Sequence, residues 1–301
     1  DAVLTAGALR LGGNVTARLR DGPVRVTAQI SAESLPLPRP PPRSSDPLPL
    51  DALRGWNAAI ALQAKQVLFG LVPTLADARA SVALQDGTLR LDAVKANLSG
   101  GVIEGTAALE TAPDLPHLAV QGSVSGAQIS GPLFGTPLDV RSGLASAQVN
   151  VAAKGYSPAA LLSTLSGEAT ATLRDGAVTG FDLTGADAAL SAADTARRDS
   201  LARAAVQGGT TAFSTLDLAA HLQDGTATLT TARLTGPGGT ATASGSVDLH
   251  ASLLDIRLAL RPGEPPDAPE LAVSLHGSAA APSRTPNLSD FVRWSLAQPT
   301  Q

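Results

Sequence analysis

The sequence contains no cysteine, which excludes disulfide bonds, a thiol nucleophile and cysteine-ligated metal sites. Aromatic residues account for only 3% of its 301 residues. An outer-membrane β-barrel needs aromatic girdles at both membrane interfaces, and one tyrosine and two tryptophans cannot build them. Basic residues are not clustered, and the net charge is −4. Nucleic-acid binding depends on clustered Lys and Arg, so we expect no nucleic-acid partner.

The apolar residues that are present are almost all aliphatic. Hydrophobic residues make up 44% of the chain, which is enough for a sizeable core. The longest uncharged run, residues 115–138, is broken by Gly, Pro, Ser and Gln, so it does not predict a transmembrane helix. Methionine is absent and residue 1 is Asp. We therefore expect a fragment or processed chain, with room for a membrane anchor upstream.

An Asp-Gly pair joins alternating strand-like segments at residues 21–22, 86–87, 175–176 and 224–225. Both residues of this pair tolerate positive φ, as a two-residue type I′ hairpin turn requires. The second and last repeats continue through glycine-rich turns, Gly100-Gly101 and residues 236–239, into a third strand. The pattern predicts three-strand antiparallel meanders. Their irregular spacing disfavours a regular solenoid or propeller.

Other segments predict further strands and three short helices. The strands are expected at 56–63, 117–129, 141–153, 253–260 and 271–277, for around 15 in all. One helix should begin at Ser157-Pro158 and stop at Gly167. A second should open with a capping box at Thr184–Asp187 and end near Gly208-Gly209, and a third should open at residues 287–290.

A proline-rich segment divides the chain. Proline supplies 7 of the 15 residues from 35 to 49, and such a segment favours an extended, polyproline-like conformation. The sequence predicts that residues 1–34 end a preceding β repeat, that 35–50 form a linker and that 51–301 form the main β domain.

Several segments follow one another in a distinctive order. They include Ala-Asn-Leu-Ser-Gly-Gly-Val-Ile-Glu-Gly (96–105), Gly-Tyr-Ser-Pro-Ala-Ala-Leu-Leu-Ser-Thr-Leu-Ser-Gly (155–167), Leu-Arg-Asp-Gly-Ala-Val-Thr-Gly-Phe-Asp-Leu (173–183), Gly-Ser-Val-Asp-Leu (245–249) and Leu-Ala-Val-Ser-Leu-His-Gly (271–277). This ordered set resembles the C-terminal region of the AsmA family, within the AsmA/TamB-type bridge-like lipid transfer proteins. The resemblance covers roughly residues 45–301, and residues 1–34 look like an earlier repeat of the same kind.

The resemblance implies a protein of the Gram-negative cell envelope, with an N-terminal inner-membrane anchor in the full-length protein and a long periplasmic β-groove. It implies a role in outer-membrane biogenesis and in phospholipid movement between the membranes. The partners it implies are phospholipid, the inner membrane through the N-terminal anchor, and outer-membrane proteins at the C-terminal end. The resemblance brings no catalytic residues, metal or cofactor.

The expected fold is therefore mainly β (α+β): a long curved antiparallel sheet or groove of repeated meanders, with about three short helices towards the C-terminal half. Alternate residues of a strand share one face, and around 15 strands exceed what three short helices can cover. An open apolar strip marks a binding surface. The candidate lipid-groove residues are Val82, Leu84, Leu89, Leu91, Ile103, Leu109, Leu173, Val178, Leu218, Leu222, Leu229, Val247, Leu249, Ile256, Leu258 and Leu260. The alternative for any one of them is an ordinary core beneath the helices.

Signs of catalysis are weak. The four histidines, at 117, 221, 250 and 276, are scattered along the chain. Gly122-Ser-Val-Ser-Gly126 has Val where a nucleophile elbow has Ser. We expect a protein that is not an enzyme. The main rival is a secreted β-helix adhesin, which also uses Gly, Thr, Ser and Asp-Gly strands; irregular repeats, helix signals and only five Asn count against it.

Overall fold

The computed structural model describes residues 2–6, 9–19, 23–37, 41–69, 72–111, 115–263 and 268–298. Strands dominate this part of the chain. They are β1 (Ala2–Ala6), β2 (Leu9–Arg18), β3 (Val24–Pro36), β4 (Trp56–Phe69), β5 (Val72–Gln85), β6 (Thr88–Leu98), β7 (Gly101–Glu110), β8 (His117–Ser130), β9 (Asp139–Lys154), β10 (Ser166–Thr179), β11 (Thr210–Gln223), β12 (Thr226–Gly236), β13 (Gly239–Asp248), β14 (Leu253–Pro262), β15 (Leu271–Ser278) and β16 (Ser283–Asn287).

The helices are short and lie mostly in the C-terminal half. They are a 3₁₀ helix (Leu50–Leu53), α1 (Pro158–Ser163), α2 (Leu183–Ser191), α3 (Thr195–Gln207) and α4 (Ser289–Ala297). The predicted mainly β class with short helices is confirmed. No helix within the described ranges is long and apolar enough to span a membrane.

The strands follow one another in the sheet in the same order as in the chain, from β1 to β16. β5, β6, β7 and β8 pair antiparallel in succession, as do β12 to β16. A β-helix adhesin would instead stack parallel strands coil upon coil. The meander order therefore agrees with the main prediction and not with its rival.

β3 and β4 pair in parallel, with Val24 opposite Trp56 and Ala32 opposite Ala64. A parallel pair cannot be closed by a tight turn and needs a longer crossover connection. The residues between the end of β3 and the start of β4, which include most of the proline-rich segment, make this connection. Two backbone hydrogen bonds hold it against the region of α1: Leu48 N donates to Tyr156 O at 2.7 Å, and Ala159 N donates to Ser44 O at 3.0 Å. Residues 24–36 therefore continue into the same ladder as β4 and β5.

Two of the predicted Asp-Gly hairpins are confirmed. Asp86 and Gly87 have φ values of 50° and 79°, and Asp224 and Gly225 have 48° and 74°. Positive φ at both positions matches the type I′ turn. The turn after β6 uses Ser99 and Gly100 rather than Gly100-Gly101, because Leu98 pairs directly with Gly101.

The prediction of a hairpin at Asp175-Gly176 is wrong. β10 runs through both residues, and Asp175 alone takes φ 50° within the strand. A Cβ on Gly176 would lie 2.1 Å from Ser142 O, so neighbouring backbone occupies the space beside it. Here the pair accommodates a close backbone approach. The Asp21-Gly22 turn lies outside the described residues.

Each of the three predicted helical regions contains α-helix, but several of the predicted ends are wrong, and the 3₁₀ helix at Leu50–Leu53 was not predicted. Ser157 caps α1 by accepting from Ala160 N, but the helix ends before Thr164 and Gly167 lies in β10. The second region holds two helices, not one. Asp182 rather than Thr184 caps α2, and Asp194 caps α3.

The chain forms two compact units. Unit 1 comprises Asp1–Ala127, Ser146–Ala169 and Leu222–Gly225; unit 2 comprises Gln128–Ala145, Thr170–His221 and Thr226–Gln301. In unit 2, α2 packs on β13 and β14, and α3 packs on β15, β16 and α4. Their buried side chains, among them Leu183, Val206 and Phe291, meet strand residues such as Leu260 and Val273 in one core.

Two arginines tie the helices of unit 2 to their neighbours. Arg198 is only 7% exposed and donates to Ala192 O at 2.8 Å and to Ser295 O at 3.3 Å. Arg284 of β16 donates to Gly180 O and Val206 O. Burial lowers the pKa of the Arg284 guanidinium, and these two carbonyl oxygens compensate for the water it loses.

Candidate functional site

The candidate residues of unit 1 meet on one face of the sheet. Residues directly opposite in a ladder share a face. Leu84 pairs with Leu89, Leu89 with Leu109, and Leu109 with Leu118. These pairs form one apolar row across β5 to β8.

A second row runs beside the first. Val82 pairs with Leu91, Leu91 with Ala107, and Ala107 with Val120. Both rows extend through β4 into β3, because Ala58 pairs with Leu84 and Val26, and Ile60 pairs with Val82 and Ala28. We call this surface of β3–β8 the aliphatic face.

A β-bulge in β6 keeps the apolar residues on the same face along the whole strand. The register of β6 against β7 shifts between Leu91 and Val94, where Ala93 has φ 51°. A bulge of this kind adds one residue to a strand and restores the alternation beyond it. Ile103 consequently lies opposite Ala96 and Val124, in line with the face.

The opposite face of the same strands is polar. Lys95 and Glu104 form an ion pair of 2.7 Å across β6 and β7, and Lys65 pairs with Glu33 at 2.9 Å across β4 and β3. Arg90 is exposed opposite Ala108. The two faces therefore differ sharply in chemistry over the same strands.

Most side chains of the aliphatic face are only partly covered. Leu84 is 2% exposed, whereas Val82, Leu89, Leu91, Ile103 and Leu109 are half-buried. α1, the α-helix among the described residues of this unit, buries none of its own residues. The face keeps accessible hydrocarbon surface that an apolar ligand could cover.

The other candidates have different surroundings. Leu173, Val178, Ile256, Leu258 and Leu260 belong to the buried core of unit 2, and Leu218, Leu229 and Val247 pack against it. For these eight, the surroundings are those of an ordinary core beneath the helices. Leu222 is buried in unit 1, and Leu249 follows the end of β13 and is half-buried.

Unit 2 also contains an apolar pocket of about 180 Å³. We call it the Phe134 pocket. Three of the candidates, Val178, Leu218 and Leu258, line it. The other lining residues are Phe134, Leu138, Asp139, Val140, Phe181, Leu216, Ala232, Leu234, Ala241, Thr242 and Ala243. Sequence reasoning named none of these other lining residues as candidates, although the two phenylalanines are conspicuous in a chain with only five.

Asp139 fixes the loop at the rim of this pocket. The loop comprises residues 131–138, between β8 and β9. The Asp139 carboxylate accepts from the backbone N–H groups of Leu133, Phe134 and Gly135 at 3.0, 2.9 and 2.7 Å. Asp139 is 3% exposed, whereas the Phe134 side chain is 68% exposed. A buried anion thus orders a loop that carries an exposed aromatic ring.

The described residues contain no group of three His, Asp or Glu side chains placed to hold a metal ion. His276 Nδ1 lies 2.9 Å from Asp255 Oδ1 on neighbouring strands, with both side chains largely exposed. The geometry that stands out in this protein is apolar surface, in the aliphatic face and in the Phe134 pocket.

Comparison with known proteins returns one family. The family model described as the AsmA family matches residues 41–232. No curated protein and no solved structure matches the chain. The match covers more than half of the sequence and includes the strands β4–β8 of the aliphatic face. The chain belongs to the AsmA family.

Proposed function

We propose that the protein is a non-enzymatic lipid-handling protein of the Gram-negative periplasm, which binds phospholipid acyl chains on its aliphatic face and thereby supports outer-membrane biogenesis. Membership of the AsmA family fits an envelope lipid-handling role in general. In the full-length protein, an N-terminal inner-membrane anchor would hold this segment, and outer-membrane proteins would meet its C-terminal end.

The observation that carries the proposal is the pair of aliphatic rows across β3–β8, half-buried and backed by a polar face. Covering such surface with hydrocarbon is favourable by about 25 cal/mol per Å². Six strands at about 4.8 Å spacing make the rows about 24 Å long. One leaflet of a bilayer core is about 15 Å thick, half of the usual ~30 Å. Each row is therefore long enough for a whole acyl chain to lie along it.

The face also suits acyl chains better than a polar ligand. Its side chains are aliphatic, and the backbone polar groups between them are paired in the ladders of β3 to β8. A headgroup or peptide backbone placed there would lose its hydrogen bonds to water without replacement. The headgroup should remain in solvent while the chains lie on the sheet.

The test uses two adjacent alanines on opposite faces. Ala107 lies in the second aliphatic row, and Ala108 lies opposite Arg90 on the polar face; both are half-buried in β7. The protein purified from a bacterial envelope would be analysed by native mass spectrometry for bound phospholipid. Uptake of a fluorescent phosphatidylethanolamine would then be measured for Ala107→Glu and Ala108→Glu.

We expect phospholipid on the wild-type protein at a defined stoichiometry. Ala107→Glu should weaken uptake roughly tenfold or more, because a carboxylate in the row must lose hydration when a chain covers it. Ala108→Glu should bind as the wild type does. A lipid-free wild-type protein without uptake, or equal loss in the two variants, would contradict the proposal.

A further inference from the structure

We propose that the Phe134 pocket of unit 2 binds the methyl-terminal segment of a fatty acyl chain, with Phe134 at the rim covering it. This inference rests on the proposed function, since it assigns a second, separate contact to the same class of ligand. Three lines of observation support it: the chemistry of the lining, the volume and the rim.

The lining excludes a polar occupant. Val178, Phe181, Leu216 and Leu258 present only hydrocarbon to the space. Asp139 is the one ionisable side chain in the lining, and both of its oxygens accept backbone hydrogen bonds from the loop. Its acceptor capacity is directed to the loop. Thr242, the other polar side chain of the lining, alternates with Ala241 and Ala243 along β13 and is exposed on the opposite face of the strand. A hydroxyl, amide or phosphate in the pocket would therefore lack a partner there. The occupant should be hydrocarbon without a polar end.

The volume fits a short apolar segment. An apolar cavity of about 150 Å³, lined by Leu, Ile and Phe, stays dry and takes up benzene. The Phe134 pocket, at about 180 Å³, therefore accommodates a group of roughly six carbons. Half-buried alanines at 232 and 243 line part of it and keep it open, because larger side chains there would fill it. This size suits the end of an acyl chain rather than a whole one.

Phe134, at the rim of the pocket, can cover an acyl segment bound inside it. The Phe134 ring is 68% exposed at the pocket, on a loop held in place by Asp139. Leu133 beside it is 51% exposed. An acyl segment entering the pocket would remove part of the Phe134 surface from water, and the ordered loop spares the entropy of arranging it.

The test separates the two contacts by the position of a photoreactive group. The full chain would be loaded with phosphatidylcholine that carries a diazirine either at the terminal methyl of one acyl chain or next to its carbonyl. Cross-linked peptides would be mapped by mass spectrometry. Ala243→Phe fills the pocket, and Ala108→Phe on the polar face of unit 1 is the matched control; thermal melting confirms that each variant folds.

The terminal diazirine should label peptides containing Val178–Phe181 and Leu216–Leu218, and the diazirine near the carbonyl should not. Ala243→Phe should reduce this labelling at least about tenfold, because the loss of even two buried methylene groups lowers affinity by about that factor and the variant displaces the whole segment. Ala108→Phe should leave it unchanged. Labelling of these peptides that survives Ala243→Phe would overturn the inference, as would a co-purified polypeptide lost only from that variant.

Failure of the inference and failure of the proposed function give different results. Labels confined to peptides of β3–β8 would overturn the pocket assignment and leave acyl binding by the aliphatic face intact. Absence of bound phospholipid and of any label would overturn both.

Discussion

The buried carboxylate of Asp139 accepts a hydrogen bond from the backbone N–H of Phe134, the residue that carries the exposed ring, at 2.9 Å. Two further N–H groups bind the same carboxylate. Asp139→Ala removes the acceptor of three backbone N–H groups and leaves these donors unpaired. The free energy of unfolding should fall by about 1.5–3 kcal/mol, the contribution typical of a hydrogen bond to a charged group. Urea unfolding measures the change.

The control for Asp139 is Asp290→Ala. The Asp290 side chain is 75% exposed and forms an ion pair with Arg293 on the same helix. Exposed pairs contribute about 0–1 kcal/mol, so this variant should unfold close to the wild type. An Asp139→Ala protein as stable as Asp290→Ala would show that the loop does not depend on the carboxylate.

Gly100 and Gly101 should respond differently to alanine. Gly100 has φ 84° and open space where a Cβ would lie, so Gly100→Ala should cost only the strain of a left-handed residue, about 1 kcal/mol. A Cβ on Gly101 would lie 2.4 Å from Ala127 N. Gly101→Ala must displace the neighbouring strand. It should therefore lower the free energy of unfolding by more, towards the upper end of about 1–3 kcal/mol.

Thermal melting of the two single variants measures this order. Equal destabilisation would mean that turn strain, and not the close approach of β7 to β8, dominates at both positions.

Arg198 should hold the C-terminal helix in place. Arg198→Met keeps most of the apolar stem and removes the donors to Ala192 O and Ser295 O. We expect the free energy of unfolding to fall by about 1–3 kcal/mol, because the carbonyl of the buried Ser295 and that of the half-buried Ala192 lose their donor. Amide hydrogen exchange in α4 should become faster. The adjacent Arg197 is exposed on the same helix, so Arg197→Met should leave the exchange of α4 unchanged; faster exchange in both variants would speak against this role of Arg198.

Phe291 should contribute most of the packing of α4. It is 0% exposed within the core of unit 2 and lies 6.0 Å, between ring centroids, from Trp294. Phe291→Ala should destabilise the protein by about 3–5 kcal/mol through the lost transfer energy and the cavity left behind. Leu296 on the same helix is 70% exposed. The free energy of unfolding of Leu296→Ala should therefore lie within about 0.5 kcal/mol of the wild-type value. Denaturant unfolding compares the two.

The Asp-Gly pairs show which features local sequence can predict and which it cannot. Asp86-Gly87 and Asp224-Gly225 form the predicted hairpins because both residues adopt positive φ with little strain. Asp175-Gly176 has the same two residues and lies within one continuous strand. At Gly176 the backbone oxygen of Ser142 lies where a side chain would be, so glycine is needed there for a close approach between strands and not for a turn. Such a contact joins residues far apart in the chain and leaves no local signal.

Alternation along the chain determined the strands and the aliphatic face, because a period of two places apolar residues on one side of any extended segment. Together with the two-residue turn at Asp86-Gly87, which sets the register, it leads to the pairs of Leu84 with Leu89 and of Val82 with Leu91. Only the tertiary structure decided which apolar residues stay accessible. Leu260 and Leu89 have the same pattern in sequence, yet the first is fully buried in the core of unit 2 and the second is only half-buried. The Phe134 pocket likewise arises where β9–β14 and one loop converge, since a cavity depends on distances between segments and not on any one of them.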